Sequence, residues 1–203
     1  MTHDRWGEVN LLSKLATNTR ELVKSAYSRI SMLSKLRYTG VSSTDLFEIY
    51  ALFVRSKAEY MSVVWHSSLT LLEANKIKNI QKTSLSIIPG ESYEDYLSSL
   101  AKTGLTSLSE RRNIRCLSFA KCCLKNPQTK QMFPLNPENI LNVRQPEKYS
   151  VNFARTENYL NSAVPYCQRL LNKDHRQEQE RTRMRKEQAG HQGREGALAR
   201  REG

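Results

Sequence analysis

The sequence predicts an all-α protein: a small helical bundle, an extended C-terminal arm and a disordered basic tail. Three observations carry this. Apolar residues recur at spacings of three and four through residues 1–126, as on one face of a helix. Words that start helices and glycines that stop them alternate along the same stretch. Beyond it, first prolines and asparagines and then a run of charge replace the periodicity. The chain therefore divides into a bundle at 1–126, a Pro/Asn-rich arm with a short terminal helix at 127–172, and a charged tail at 173–203.

Residues 8–38 read as one long helix or two joined ones, with Leu12, Leu15, Leu22, Val23, Ala26, Ile30, Leu33 and Leu36 on the inner side. Thr17-Asn18-Thr19 offers a possible break, and Gly40 a left-handed stop. Ser42 caps a second helix, with Asp45 in its first turn and Val41 placed to staple against Leu46. Its apolar positions run through Ile49, Tyr50, Phe53, Val54, Tyr60, Met61 and Val64, and it ends near Trp65-His66-Ser67-Ser68. Thr70-x-x-Glu73 opens a third helix, which Pro89-Gly90 terminates. A short fourth helix carries Tyr93, Tyr96, Leu97 and Leu100 and stops at Gly104. Ser107-x-x-Glu110 opens a fifth, which stops at Asn126-Pro127.

From there prolines 127, 134, 137 and 146 leave little room for long helices. Pro165 suits the first turn of a short helix with Cys167, Leu170 and Leu171 facing inward. Residues 173–203 are charged on every side and glycine-bearing, so they read as disordered or as a lone solvated helix at 174–188.

Net charge is +12 and mean hydropathy −0.62. No apolar run approaches the ~20 residues of a membrane-spanning helix, and the N-terminus shows no apolar signal segment. The expectation is a soluble intracellular protein, nuclear or cytoplasmic, with no membrane partner. The positive balance suits a polyanionic partner such as nucleic acid, but charge alone does not separate that from an ordinary basic surface. Cys116, Cys122, Cys123 and Cys167 form no CxxC pair, so they read as reduced core residues and not as zinc ligands. His66 stands beside Ser67 and Ser68, but adjacency in sequence does not build a nucleophile and base; it reads as surface or cap chemistry. Glu91, Glu94 and Asp95 cluster where a helix start prefers acids anyway. No phosphate loop, dinucleotide fingerprint or metalloprotease motif is present. The reading is a non-enzyme with no catalytic residue, metal site, cofactor or small-molecule substrate.

The fifth helix is the most informative segment for binding. With Arg111 at zero, Arg115 falls at about 40°, Lys125 at about −40° and Lys121 at about −80°. Leu108, Cys116, Phe119, Ala120, Cys123 and Leu124 spread from about 60° to 220°. A basic stripe thus stands opposite an apolar side, and such a stripe suits a phosphate backbone. The alternative is a plain solvated face. Trp65 and Tyr60 read as bundle aromatics rather than base-stacking platforms.

Particular words carry a resemblance. Val63-Val-Trp-His-Ser-Ser-Leu-Thr70 resembles a signature of non-LTR retrotransposon polyproteins. Ser28-Arg-Ile-Ser-Met-Leu-Ser-Lys-Leu-Arg37, Ile87-Ile-Pro-Gly90, Gly104-Leu-Thr-Ser-Leu-Ser-Glu-Arg-Arg112 and Leu117-Ser-Phe-Ala-Lys-Cys-Cys-Leu-Lys-Asn-Pro127 follow in the family's order. Val151-Asn-Phe-Ala-Arg-Thr-Glu157 and Ser162–Asn172 resemble the close of such polyproteins. The resemblance spans residues 6–172 and implies the part of a reverse transcriptase that follows the palm: the thumb and C-terminal extension. The family's Tyr-Ala-Asp-Asp box and endonuclease have no counterpart here, so the implied role is weak, sequence-independent grip on an RNA/DNA template–primer and not polymerisation. Lys57, Ser34, Tyr38, Ser86 and Pro89 depart from the family's usual residues. The competing expectation is a structural or protein-interaction module, co-opted or inert. Residues 20–65 are also similar to a helical segment of some AlkB-like tRNA-modifying proteins, without the iron-binding residues of those enzymes.

Overall fold

The computed structural model describes residues 4–90, 93–136, 147–151 and 153–199, with side chains described within 17–186 and at Gln188. The elements are α1 (Asp4–Tyr38), α2 (Ser43–Ile49), a π-helical turn (Tyr50–Arg55), α3 (Ser56–Glu59), α4 (Ser62–Trp65), a 3₁₀ turn (His66–Ser68) and α5 (Leu71–Ile87). They continue with α6 (Tyr96–Thr103), α7 (Leu108–Lys125), α8 (Pro127–Lys130), α9 (Glu157–Leu160) and α10 (Ala163–Ala199). Among the described residues the sole strand-like pairing is an isolated bridge between Leu135 and Tyr149. The all-α reading stands.

The caps explain the boundaries. Gly40 adopts φ +88°, and the N–H of Val41 returns to Leu36 O, closing α1. Ser42 Oγ accepts from Asp45 N at the start of α2. Thr70 and Glu73 form a complete capping box on α5. Asp95 caps α6, Gly104 at φ +63° ends it, and Ser107 caps α7. Each cap supplies an acceptor to a first-turn N–H that has none within its helix.

Two apolar clusters lie on either side of α7. The larger joins Leu22, Ala26, Ile30 and Leu33 of α1 to Leu46, Tyr50, Val54, Ile77, Ile80 and Leu108. The smaller joins Cys116, Ala120 and Cys123 of α7 to Phe133 and to Cys167 and Leu171 of α10. The arm is tied down by reciprocal bonds: Asn172 Oδ1 accepts from Tyr149 N at 2.8 Å, and Asn172 Nδ2 donates to Tyr149 O at 2.9 Å. Prolines 137 and 146 of the expected meander lie outside the described residues.

Three expectations are corrected. The second helix does not run unbroken to Trp65. It passes through the π-helical turn and breaks at Met61, a non-glycine residue at φ +51°. Tyr60 and Met61, expected on its inner face, are consequently exposed. Of the cysteines read as core, Cys122 is exposed. Phe119, placed on the apolar side of α7, is also exposed. Of the two readings open for the tail, disorder or a lone solvated helix at 174–188, the structure takes the helical one, as a continuation of α10 to Ala199: its described side chains from Arg176 to Lys186 are exposed. The docked first turns of α10 supply the costly nucleus, and no proline follows Pro165 to interrupt propagation. No helix among the described residues is long and apolar enough to cross a membrane.

Candidate functional site

The break at Tyr60-Met61 has a purpose visible in the packing. It ends α3 at Glu59, whose side chain is 1% exposed, and starts α4 so that Trp65 and His66 meet α7. A left-handed non-glycine residue is held only where its surroundings over-determine it. Here Trp65 Nε1 donates to Tyr60 O at 2.9 Å across the break.

Glu59 is clamped by α7. Arg111 Nε donates to Glu59 Oε1 at 2.5 Å, and Arg115 Nη2 reaches Glu59 Oε2 at 2.9 Å. The hydrogen bond to Glu59 holds the Arg111 guanidinium above its ordinary value. Arg112, one residue on, points into the protein and is 2% exposed. Its Nε donates to His66 Nδ1 at 3.2 Å, and its guanidinium lies 5.6 Å from the Trp65 ring centroid. Arginine only donates, so His66 Nδ1 must accept and Nε2 must carry the ring proton. That Nε2–H donates to Asn113 Oδ1 at 2.6 Å, which also accepts from Tyr166 Oη at 2.5 Å. Burial pushes the His66 pKa down; the Asn113 bond opposes this, and the nearby Arg112 charge adds to it. Burial likewise pushes Arg112 down to about 10, against the pull of Glu59. Burial raises Tyr50, whose hydroxyl has no hydrogen-bond partner.

The four cations expected to contact phosphate are therefore unlike one another. Arg111 and Arg115 are spent on Glu59. Lys121 pairs with Asp174 of α10 at 2.7 Å, a partly exposed bridge that opens at little cost. Lys125 is exposed, with no ion pair among the described residues. The stripe exists as a row on α7, but half of it faces an internal acid.

A second basic surface was missed by sequence reading. On α5, Lys76, Lys78 and Lys82 are exposed, together with Asn75 and Asn79. No acidic residue occurs between Glu73 and Glu91, and Glu73 is occupied by its cap. Taking Asn75 as zero, Lys78, Lys82 and Asn79 fall within about 60° of it, while Ile77, Ile80 and Ser84 lie on the far side. The signal lies in the spacing of the lysines and the lack of acids between them. Arg112 was missed as well: with Arg111 at zero it falls at about 100°, amid the apolar side of α7, where a charge needs an explanation.

Among the described residues no three His, Cys, Asp or Glu side chains are grouped to hold a metal ion. Comparison with known protein families, with curated proteins and with solved structures gives no match.

Proposed function

We propose that the chain is a helical module that grips nucleic-acid backbone without reading sequence, the thumb-like remnant of a non-LTR reverse transcriptase. The observation that carries this is the solvent side of α5: exposed Lys78 and Lys82 share one face with Asn75 and Asn79, exposed Lys76 stands at its flank, and no acid lies among them. Lysine ammonium groups along a helix release condensed counterions from a phosphate backbone, and contacts of that kind fix position without specifying bases. Lys125 and Lys121 extend the surface, whereas Arg111 and Arg115 serve the fold. The bundle and arm carry most of the charge: residues 1–172 hold 23 basic and 14 acidic residues, a net +9. The order of the retrotransposon-like words supports the assignment of the module.

The test is fluorescence anisotropy of labelled RNA/DNA hybrids with a chain truncated after Lys186. Two hybrids of unrelated sequence should bind with equal affinity that falls steeply with salt. Strong preference for one sequence, or affinity indifferent to salt, would contradict the proposal.

A second reading, a protein-interaction module, is favoured by one observation. Leu71, Leu72 and Leu97 are 81%, 61% and 70% exposed on neighbouring α5 and α6.

A further inference from the structure

We propose that the cleft between α5, α6 and the first turn of α7 binds a small amphipathic carboxylate, with Arg112 as its anchor. The inference goes beyond nucleic-acid binding, although Asn75 and Lys78 border both surfaces. The cleft has a volume of about 330 Å³, near the lower end of the size range of small-molecule sites. Its walls are largely apolar: Tyr96, Leu97 and Leu100 from α6, and Leu108 from α7. Such sites characteristically combine apolar walls with a few convergent polar groups.

The charged groups lining it, Lys78 and Arg112, are both positive. Arg112 lines the cleft, and although it is almost fully buried its Nη1 has no hydrogen-bond partner. A buried guanidinium N–H left unmatched costs free energy unless a partner arrives. The acid nearest in charge, Glu59, is already bonded by Arg111 and Arg115. Lys78 stands on the same cleft with its ammonium 5.5 Å from the Tyr96 ring centroid. The cleft also opens on the start of α7, an 18-residue helix whose dipole favours negative charge at this end. Two of its first-turn amides are occupied: Leu108 N–H donates to Gln81 Oε1 at 2.9 Å, and Glu110 N–H to Ser107 Oγ at 3.2 Å. Ser109, between them, lines the cleft.

A carboxylate matches the planar fork of a guanidinium, and an apolar body matches the leucine walls. A bare phosphate would leave those walls wet, and a neutral alkyl group would leave Arg112 unmatched. The occupant is accordingly a molecule with one carboxylate and a short apolar body.

The experiment is isothermal titration of the full chain with sodium octanoate, with octanol and inorganic phosphate as controls and N-acetyl-Leu-Leu as a chain-end carboxylate. Saturable octanoate binding, at least tenfold tighter than octanol or phosphate, is expected. Tighter binding of the dipeptide would also support the site and assign the carboxylate to a polypeptide end. Arg112→Gln should abolish binding. Because that residue is buried, Leu97→Glu at the exposed mouth is the second variant: it should weaken octanoate at least fivefold with an unchanged melting temperature. Equal affinity for octanoate and octanol, no saturable binding, or indifference to Leu97→Glu would each overturn the proposal.

Discussion

The clamp on Glu59 makes an asymmetric prediction. Removing the acid and removing its two partners break the same contacts, but the groups left behind differ. In Glu59→Gln the guanidiniums of Arg111 and Arg115 lose a charged acceptor, yet their side chains are 30% and 50% exposed and can turn toward water. The cost is then the two charge-assisted hydrogen bonds, partly recovered by solvent, on the order of 1–2 kcal/mol. In Arg111→Ala/Arg115→Ala the carboxylate stays behind at 1% exposure and cannot reach water. An uncompensated buried charge costs about 3–5 kcal/mol. For a chain of this size that lowers the melting temperature by on the order of 10 °C, against a few degrees for Glu59→Gln. Chemical denaturation followed by circular dichroism at 222 nm, with calorimetry alongside, measures both. A double-arginine variant within about 0.5 kcal/mol of the parent, a difference typical of an ordinary surface change, would refute the argument. So would a Glu59→Gln cost exceeding that of the arginine pair. The same variant is a poor probe of nucleic-acid binding, because a loss of affinity would follow from loss of fold.

Other consequences are simpler to check. Truncation after Arg176 should shift the melting temperature by no more than a degree or two, since the described side chains beyond it are exposed; a large drop in calorimetry would show a docked tail. The folded pKa of His66 is depressed, so its contribution is complete above the unfolded value near ~6.5 and is lost as pH falls through the folded value. Unfolding free energy should thus decline as pH falls below about 6.5, and His66→Gln should flatten that slope; an unchanged slope in urea titrations would contradict it. Burial pushes Cys116 up to about 11 and Cys167 up to about 12, while Cys122 is exposed. In native protein at pH 8, Ellman's reagent should therefore find Cys122 at once and Cys116 and Cys167 only on unfolding.

Much of the fold was legible because its signals are local. Ser42, Thr70, Ser107, Gly40 and Gly104 mark helix ends through bonds a few residues long, and the structure places caps and stops at each. Leu33, Ile77 and Ile80 were legible because burial follows helical spacing. What escaped is non-local. Nothing in the residues around Glu59 announces that it meets Arg111, 52 positions away, or that the chain must break at Met61 to allow it. His66 looked like a surface residue because its partners, Arg112 and Asn113, also come from α7. The same distance in sequence misled the reading of the phosphate stripe. A helical wheel shows which cations share a face but not that a buried acid waits opposite two of them. Arg112 was the one legible clue, since a guanidinium on an apolar face must have a buried reason.

The central claim is that the polyanion surface is α5, with Arg111 and Arg115 of α7 reserved for the fold. It is tested most directly by the salt dependence of hybrid binding in Lys76→Ala/Lys78→Ala/Lys82→Ala, compared with the parent and with Lys121→Ala/Lys125→Ala. All five side-chain truncations the two variants use fall on exposed positions, so each variant should melt with the parent. The account predicts that the α5 variant loses most of its affinity, equally for unrelated sequences. Its plot of log affinity against log salt should become shallower by roughly one unit per lost phosphate contact. The α7 variant should lose less. Coincident curves for parent and α5 variant, at any salt concentration where the parent binds, would contradict the claim.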